Sequence, residues 1–181
     1  MEEIEIPTEH LHEKINEEAE HAGEGHSGRW ALWVALSTAM MAVLAAIAGL
    51  MAGHHANEAV IDQIRSSDQW AFYQAKGIKA EILGVKNELL VAQGKVPSAG
   101  DMQKFSEYKD DQVKIKETAE EKEKSSEAHL SIHVILARAV TVFQIAIALS
   151  AISIITKRKL LWLLSLGLSC IGIFFLLQGL L

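Results

Sequence analysis

The sequence has very little of the residues that break or staple a chain. Its 181 residues include two prolines and one cysteine, and only 6% are aromatic. Strands favour aromatic and β-branched residues with frequent turn signals, so this composition favours long helices instead. A single cysteine also excludes an intramolecular disulfide. The sequence therefore predicts an all-α protein.

Charged residues are almost absent from three long stretches. Residues 30–53 contain none over 24 positions, residues 132–156 contain only Arg138, and residues 160–181 contain none. At ~1.5 Å per residue, 24 helical residues are long enough to cross a ~30 Å hydrocarbon core. We therefore expect an integral membrane protein with three transmembrane helices and the lipid bilayer as its first partner.

The remaining charges are distributed unevenly. Residues 1–29 form an acidic polar arm with nine acids and two bases, and residues 54–131 hold fourteen acids and eleven bases. An acidic soluble portion argues against nucleic acid as a partner. The three bases at Lys157–Lys159 predict a tight turn on the cytoplasmic side of an inner membrane. Two membrane crossings separate the arm from this turn, so we expect the arm to be cytoplasmic as well. The 54–131 segment, which follows a single crossing, then lies on the opposite side. An acidic N-terminus also predicts no cleaved leader.

Residues 54–131 are predicted to form a long antiparallel coiled-coil hairpin between the first and second membrane helices. Its turn is expected at residues 94–100, where Pro97 prevents helix continuation. The first arm carries a heptad-like seam. Its members are Val60, Ile64, Ser67, Ala71, either Gln74 or Ala75, Ile78, Ile82, Val85 and Leu89. Because the second arm has few apolar residues to cover this seam, we expect a homo-oligomer.

A hairpin folded about residue 98 predicts a set of charge pairs between its arms. The pairs are Lys76 with Glu120, Lys79 with Glu117, and Lys86 with Asp110. The same register sets Glu58 opposite Arg138. A charge at the centre of a membrane helix costs ~2.5 kcal/mol or more, and a Glu58–Arg138 ion pair would relieve that cost. Snorkelling of the arginine to the interface is the alternative.

A histidine and carboxylate cluster is predicted near the membrane surface. His54, Glu58 and Asp62 lie four residues apart on one helix face, and His129 and His133 lie four apart on the other arm. Imidazole and carboxylate groups are suitable ligands for zinc or another divalent metal. The alternative is an ordinary set of interfacial histidines, and no resident cofactor is expected.

Small residues form a ridge in the first apolar segment. Ala45, Gly49 and Gly53 recur at every fourth position, and Ala42 and Ala46 extend the pattern. Such ridges let helices approach closely in lipid. We expect this ridge to contact another helix.

The sequence contains no recognisable catalytic set. It has neither a P-loop nor a dinucleotide-binding glycine pattern, and its apolar segments lack the acids of a proton relay. We therefore expect a non-enzymatic, oligomeric membrane scaffold. Two other hypotheses stay open. One is a metal-binding or solute-permeation protein that uses the histidine cluster, and the other is an accessory subunit that binds other membrane proteins in a larger complex.

The run WAFYQAKGIK, at Trp70–Lys79, resembles the hallmark of a bacterial membrane-protein family classified only as a domain of unknown function. The resemblance implies a bacterial inner-membrane protein and supplies no activity. An interaction role is predicted for seven residues of the run, either inside the hairpin or between subunits. They are Trp70, Phe72, Tyr73, Gln74, Lys76, Gly77 and Lys79.

Overall fold

The computed structural model describes residues 26–181, with side chains from residue 29 onward. Three helices account for nearly all of this part: α1 spans His26–Ala92, α2 spans Ala99–Thr156 and α3 spans Lys159–Leu180. The described residues contain no strand, which confirms the predicted all-α class. The predicted acidic arm lies outside the described residues as far as residue 25.

All three helices are long and apolar enough to cross a membrane, judged by length and composition. Their most apolar 18-residue windows have mean hydropathies of 2.2, 2.1 and 2.5. The number of such helices in the described chain matches the number predicted from sequence.

Helix α1 ends in a Schellman motif, the common C-terminal cap in which one residue adopts the left-handed conformation. The N–H of Lys95 donates to the carbonyl of Leu90, and the N–H of Gly94 donates to that of Val91. Gly94 has a φ of 72°, which glycine adopts without a Cβ clash. The six residues 93–98 then lead to α2.

Helix α2 ends with the same motif but without a glycine. Arg158 N–H donates to the carbonyl of Ser153, and Lys157 N–H donates to that of Ile154. Lys157 has a φ of 54°, a conformation that costs a residue with a Cβ about 1–2 kcal/mol. Two residues therefore suffice to separate α2 from α3, at the expense of local strain.

The chain divides into two compact units. The hairpin unit comprises residues 55–131, and among the described residues the three-helix unit comprises 26–54 together with 132–181. Helices α1 and α2 each contribute residues to both units, whereas α3 belongs to the three-helix unit alone.

The interior of the hairpin unit is built mainly from small and polar residues. The buried positions on α1 are Ala59, Asp62, Ser66 and Ala80, and those on α2 are Ile115, Ala119 and Ser126. Two buried hydroxyls bond to the backbone of the opposite helix: Ser66 donates to the carbonyl of Ala119, and Ser126 donates to that of Ala59. Small side chains and such bonds allow the two backbones to approach closely.

The aliphatic seam of α1 lies on a different face from this interior. Its large members are all more than half exposed: Val60, Ile64, Ile78, Ile82, Val85 and Leu89. The seam therefore does not join the two arms of the hairpin.

The register about residue 98 is wrong. Lys76 pairs with Asp111 and Lys86 with Asp101, and the residue numbers of both pairs add to 187 instead of 196. The connection explains the difference, because residues 95–98 are not helical. A non-helical residue spans up to ~3.3 Å, against ~1.5 Å in a helix. The loop therefore returns the chain by about one turn of α1, so that Ala99 begins α2 opposite residue 88.

The core of the three-helix unit contains large residues on α2 and small ones on its neighbours. Phe143 and Leu136 of α2 are fully buried. A Cβ added to Gly172 of α3 would lie 2.9 Å from the Phe143 ring, and one added to Gly179 would lie 2.6 Å from Leu136. The two glycines thus form sockets for these side chains.

The predicted small-residue ridge of α1 contacts its neighbours in part. Ala42 and Ala45 pack against the core, and a Cβ at Gly49 would lie 3.9 Å from Val140 of α2, whereas Ala46 and Gly53 are exposed. The closest packing in the unit instead involves α3, whose buried residues are Ser165, Ser169, Gly172, Leu176 and Gly179.

Candidate functional site

The run Trp70–Lys79 contributes to a cluster around the Lys76 ammonium in the hairpin unit. The Nζ of Lys76 lies 2.7 Å from Asp111 Oδ2. It also lies 4.9 Å from the centroid of the Tyr108 ring and 5.5 Å from that of Phe72. Aromatic faces attract cations, so the ammonium is held by one carboxylate and two rings. The bond from Lys76 lowers the pKa of Asp111 below its usual range, against the effect of burial.

Other residues of the run pack against the same part of α2. Gln112 Nε2 donates to the carbonyl of Tyr73, at 3.3 Å, and a Cβ at Gly77 would lie 2.7 Å from that same nitrogen. Trp70 meets the Tyr73 ring edge to face, with centroids 5.6 Å apart. The inward side of the run therefore holds the hairpin together.

The outward side of the run is accessible. Phe72, Gln74 and Lys79 are exposed, whereas Lys76 and Gly77 are half-buried. The predicted interaction motif thus has two parts with different surroundings. Only its exposed part is available for a contact outside the hairpin.

A second polar cluster surrounds Asp62, which is 5% exposed. The Ser125 hydroxyl donates to its Oδ2 at 2.6 Å. Arg65 Nη1 lies 3.3 Å and Lys122 Nζ 3.6 Å from its Oδ1. The Ser125 bond and the two cations hold the pKa of Asp62 below its usual range, although burial acts in the opposite direction. These contacts occupy a carboxylate that was predicted as a metal ligand.

The other predicted metal ligands have separate surroundings. His54 is exposed and Glu58 is half-buried. His133 Nδ1 lies 2.9 Å from the carbonyl oxygen of Ala52, within the three-helix unit. In residues 26–181, no three His, Cys, Asp or Glu side chains converge on a common point suited to a metal ion.

One histidine pair does form across the hairpin, and it includes a residue that the sequence did not single out. His55 Nδ1 lies 2.9 Å from His129 Nδ1, and the ring centroids are 5.1 Å apart at an interplanar angle of 34°. His55 lies four residues before the buried Ala59 and seven before Asp62. This three-four spacing was the signal for an inward position, but the larger aliphatic residues of the other face obscured it.

A family model described as "Domain of unknown function (DUF4337)" matches residues 30–181. The chain belongs to this family. The match covers all three helices of the described fold except the first residues of α1. No curated protein matches the chain, and no solved structure does.

In this DUF4337 chain, the observed register of the hairpin does not place Glu58 opposite Arg138. With residue numbers that add to 187, the position across the hairpin from Glu58 is near residue 129. Arg138 is exposed in the three-helix unit, where it borders a groove of about 410 Å³ beside Thr141 and Phe175. The Glu58–Arg138 ion pair stays a prediction, but the register about residue 98 no longer supports it.

Proposed function

We propose that this protein is a non-enzymatic, multi-pass membrane scaffold that assembles with further copies of itself. Membrane insertion is supported by the distribution of side chains in the three-helix unit. Its exposed residues include Leu36, Met40 and Leu50, while Thr38, Ser150 and Ser165 are buried. Apolar residues outside and small polar residues inside are typical of helices packed in lipid. Carbonate extraction should leave the chain in the membrane fraction.

Buried hydroxyls support the same proposal because they join helices without charge. Thr38 Oγ1 lies 2.6 Å from Ser150 Oγ, joining α1 to α2. Trp162 Nε1 donates to Ser37 Oγ at 3.1 Å, joining α3 to α1. In lipid, where water does not compete, such bonds are a usual means of helix association.

One observation supports the formation of a homo-oligomer: the aliphatic seam of α1 is exposed. Ile78, Ile82, Val85 and Leu89 are each about 60% exposed and recur at three- and four-residue spacing. A seam with this spacing fits a second helix with the same spacing. Another copy of the chain supplies that helix. The exposed Ala46 and Gly53 of the three-helix unit offer a second surface for close approach in lipid.

The size of the purified protein in detergent tests this proposal. We expect the wild-type chain to be oligomeric, and we expect Ile78→Asp with Val85→Asp to reduce it to smaller species. Met102→Asp with Val113→Asp serves as the matched control, because these α2 residues are equally exposed and lie off the seam. A monomeric wild type, or equal effects of both double variants, would refute the proposal. A different protein copurifying in fixed ratio would favour an accessory-subunit role instead.

The proposed orientation places the Lys157–Lys159 turn in the cytoplasm and the hairpin tip outside, following the positive-inside rule. The described turn concentrates three cations between α2 and α3. The test uses Val96→Cys or Lys157→Cys in a Cys170→Ser chain, labelled with an impermeant maleimide in intact cells. Labelling of residue 96 alone is expected, and labelling of residue 157 alone would reverse the orientation.

A further inference from the structure

The His55–His129 pair holds two imidazole nitrogens at nearly the separation of two ligands on one metal ion. Their Nδ1 atoms are 2.9 Å apart, one on each helix of the hairpin. Zinc binds imidazole nitrogen at ~2.0–2.1 Å with tetrahedral geometry, which places two ligand nitrogens ~3.3 Å apart. An opening of ~0.4 Å, with a rotation of the rings that directs both Nδ1 lone pairs at one point, therefore converts the observed contact into a two-ligand site.

We infer that His55 and His129 form a two-imidazole clip for a divalent transition-metal ion of the zinc type. Imidazole favours Zn²⁺, Cu²⁺ and Ni²⁺ over Mg²⁺ and Ca²⁺, which prefer oxygen. The residues 26–181 bring no group of three protein ligands together, so water completes the coordination. The bound ion is consequently exchangeable and differs from the closed four-ligand site of a zinc finger.

Replacing the His55–His129 hydrogen bond with a metal ion requires one proton to move. Without metal, one ring carries its proton on Nδ1 and donates to the lone pair of the other. When the ion binds both Nδ1 atoms, the donor ring carries its proton on Nε2 instead. Both imidazoles stay neutral and no net proton is released.

The position of the clip gives it a structural consequence. It joins α1 to α2 at the end of the hairpin unit opposite to the loop at residues 93–98. An ion that binds the paired histidines and not the unfolded chain stabilises the folded hairpin by mass action. Metal binding should therefore be visible as thermal stabilisation as well as stoichiometry.

The experiment uses the full-length protein in detergent with Zn²⁺ in equilibrium dialysis. We expect His55→Asn and His129→Asn each to lower bound zinc by one ion per chain. Asparagine retains hydrogen-bonding capacity, so a merely structural contact is largely preserved. His54→Asn is the matched control, because His54 is adjacent and exposed. Histidines of the N-terminal arm contribute the same background in every variant.

Thermal unfolding provides the second readout. Zn²⁺ should raise the midpoint of the wild type and of His54→Asn, and should not raise that of His55→Asn or His129→Asn. Mg²⁺ should have no effect on any of them. If the His55 and His129 variants bind as much zinc as the wild type, or gain as much stability from it, the inference is overturned. The result does not depend on whether the chains associate.

Discussion

The Lys76 ammonium lies 2.7 Å from a carboxylate oxygen of Asp111, across the middle of the hairpin. Lys86 and Asp101 form a second such pair at 2.6 Å, closer to the loop. The residue numbers of both pairs add to 187, so the two pairs specify one register. The Lys76 pair is the less exposed on its cationic side, where the ammonium group also contacts aromatic rings. Removing the Lys76–Asp111 pair should therefore lower the stability of the hairpin more than removing the Lys86–Asp101 pair.

Removal of the Asp111 carboxylate should lower the thermal stability of the hairpin. Asp111→Asn leaves the half-buried Lys76 ammonium without its anion, whereas Asp110→Asn changes an exposed neighbour and should have little effect. Thermal unfolding followed by circular dichroism compares the two variants. A larger effect of Glu120→Gln than of Asp111→Asn would instead favour the register about residue 98.

Filling the socket at Gly172 should destabilise the three-helix unit. In Gly172→Ala, the new methyl group meets the fully buried Phe143 ring at about 3 Å, and overpacking of this kind costs ~1–3 kcal/mol. Gly167→Ala is the matched control on the same helix, because nothing lies within 4 Å of a Cβ there. Unfolding in mixed micelles measures both free energies. Equal changes would show that α3 does not pack on α2 as described.

Acidification should weaken the hairpin through Asp62. Its pKa in the folded chain is lowered by Ser125, with smaller contributions from Lys122 and Arg65. Its stabilising contribution is therefore complete above the ordinary aspartate value of ~3.9 and is lost as the pH falls through the lower, folded value. Stability measured against pH should fall more steeply in the wild type than in Asp62→Asn. If stability falls equally with pH in both proteins, Asp62 does not stabilise the hairpin through its ionised form.

Glycine at position 157 should stabilise the turn between α2 and α3. Lys157 has a positive φ, so Lys157→Gly removes strain of the left-handed conformation. After the added flexibility of the unfolded chain is subtracted, the gain should be about 0.5–1 kcal/mol. Arg158→Gly is the control, since Arg158 has an ordinary extended conformation with a φ of −99°. A gain at Arg158 and none at Lys157 would rule out this explanation.

Some parts of the hairpin followed directly from local sequence, and others did not. Gly94 and Pro97 fix where α1 stops, because each has a conformational requirement of its own. The register depends instead on how far residues 95–98 carry the chain back along α1, which no single residue encodes. The error in register moved every predicted pair across the hairpin, including Glu58 with Arg138.

The choice of helix face was equally hidden from sequence. Helix α1 has two faces with heptad-like spacing in the hairpin, one rich in aliphatic residues and one carrying Ala59, Asp62 and Ser66. Hydrophobicity alone favours the aliphatic face for the interior. The small face is the one that allows α2 to approach closely and to form hydrogen bonds through Ser66 and Ser126. His55 was overlooked for the same reason.

By itself, the sequence determined the number of long helices, their apolar segments and the two places where the chain turns. These depend on composition and on a few residues with special backbone requirements, which act locally. The tertiary structure alone decided which face of α1 packs against α2, which charges pair, and which histidines meet. Those outcomes depend on the distance between backbones and the path of one short loop, so they emerge only when whole helices are packed together.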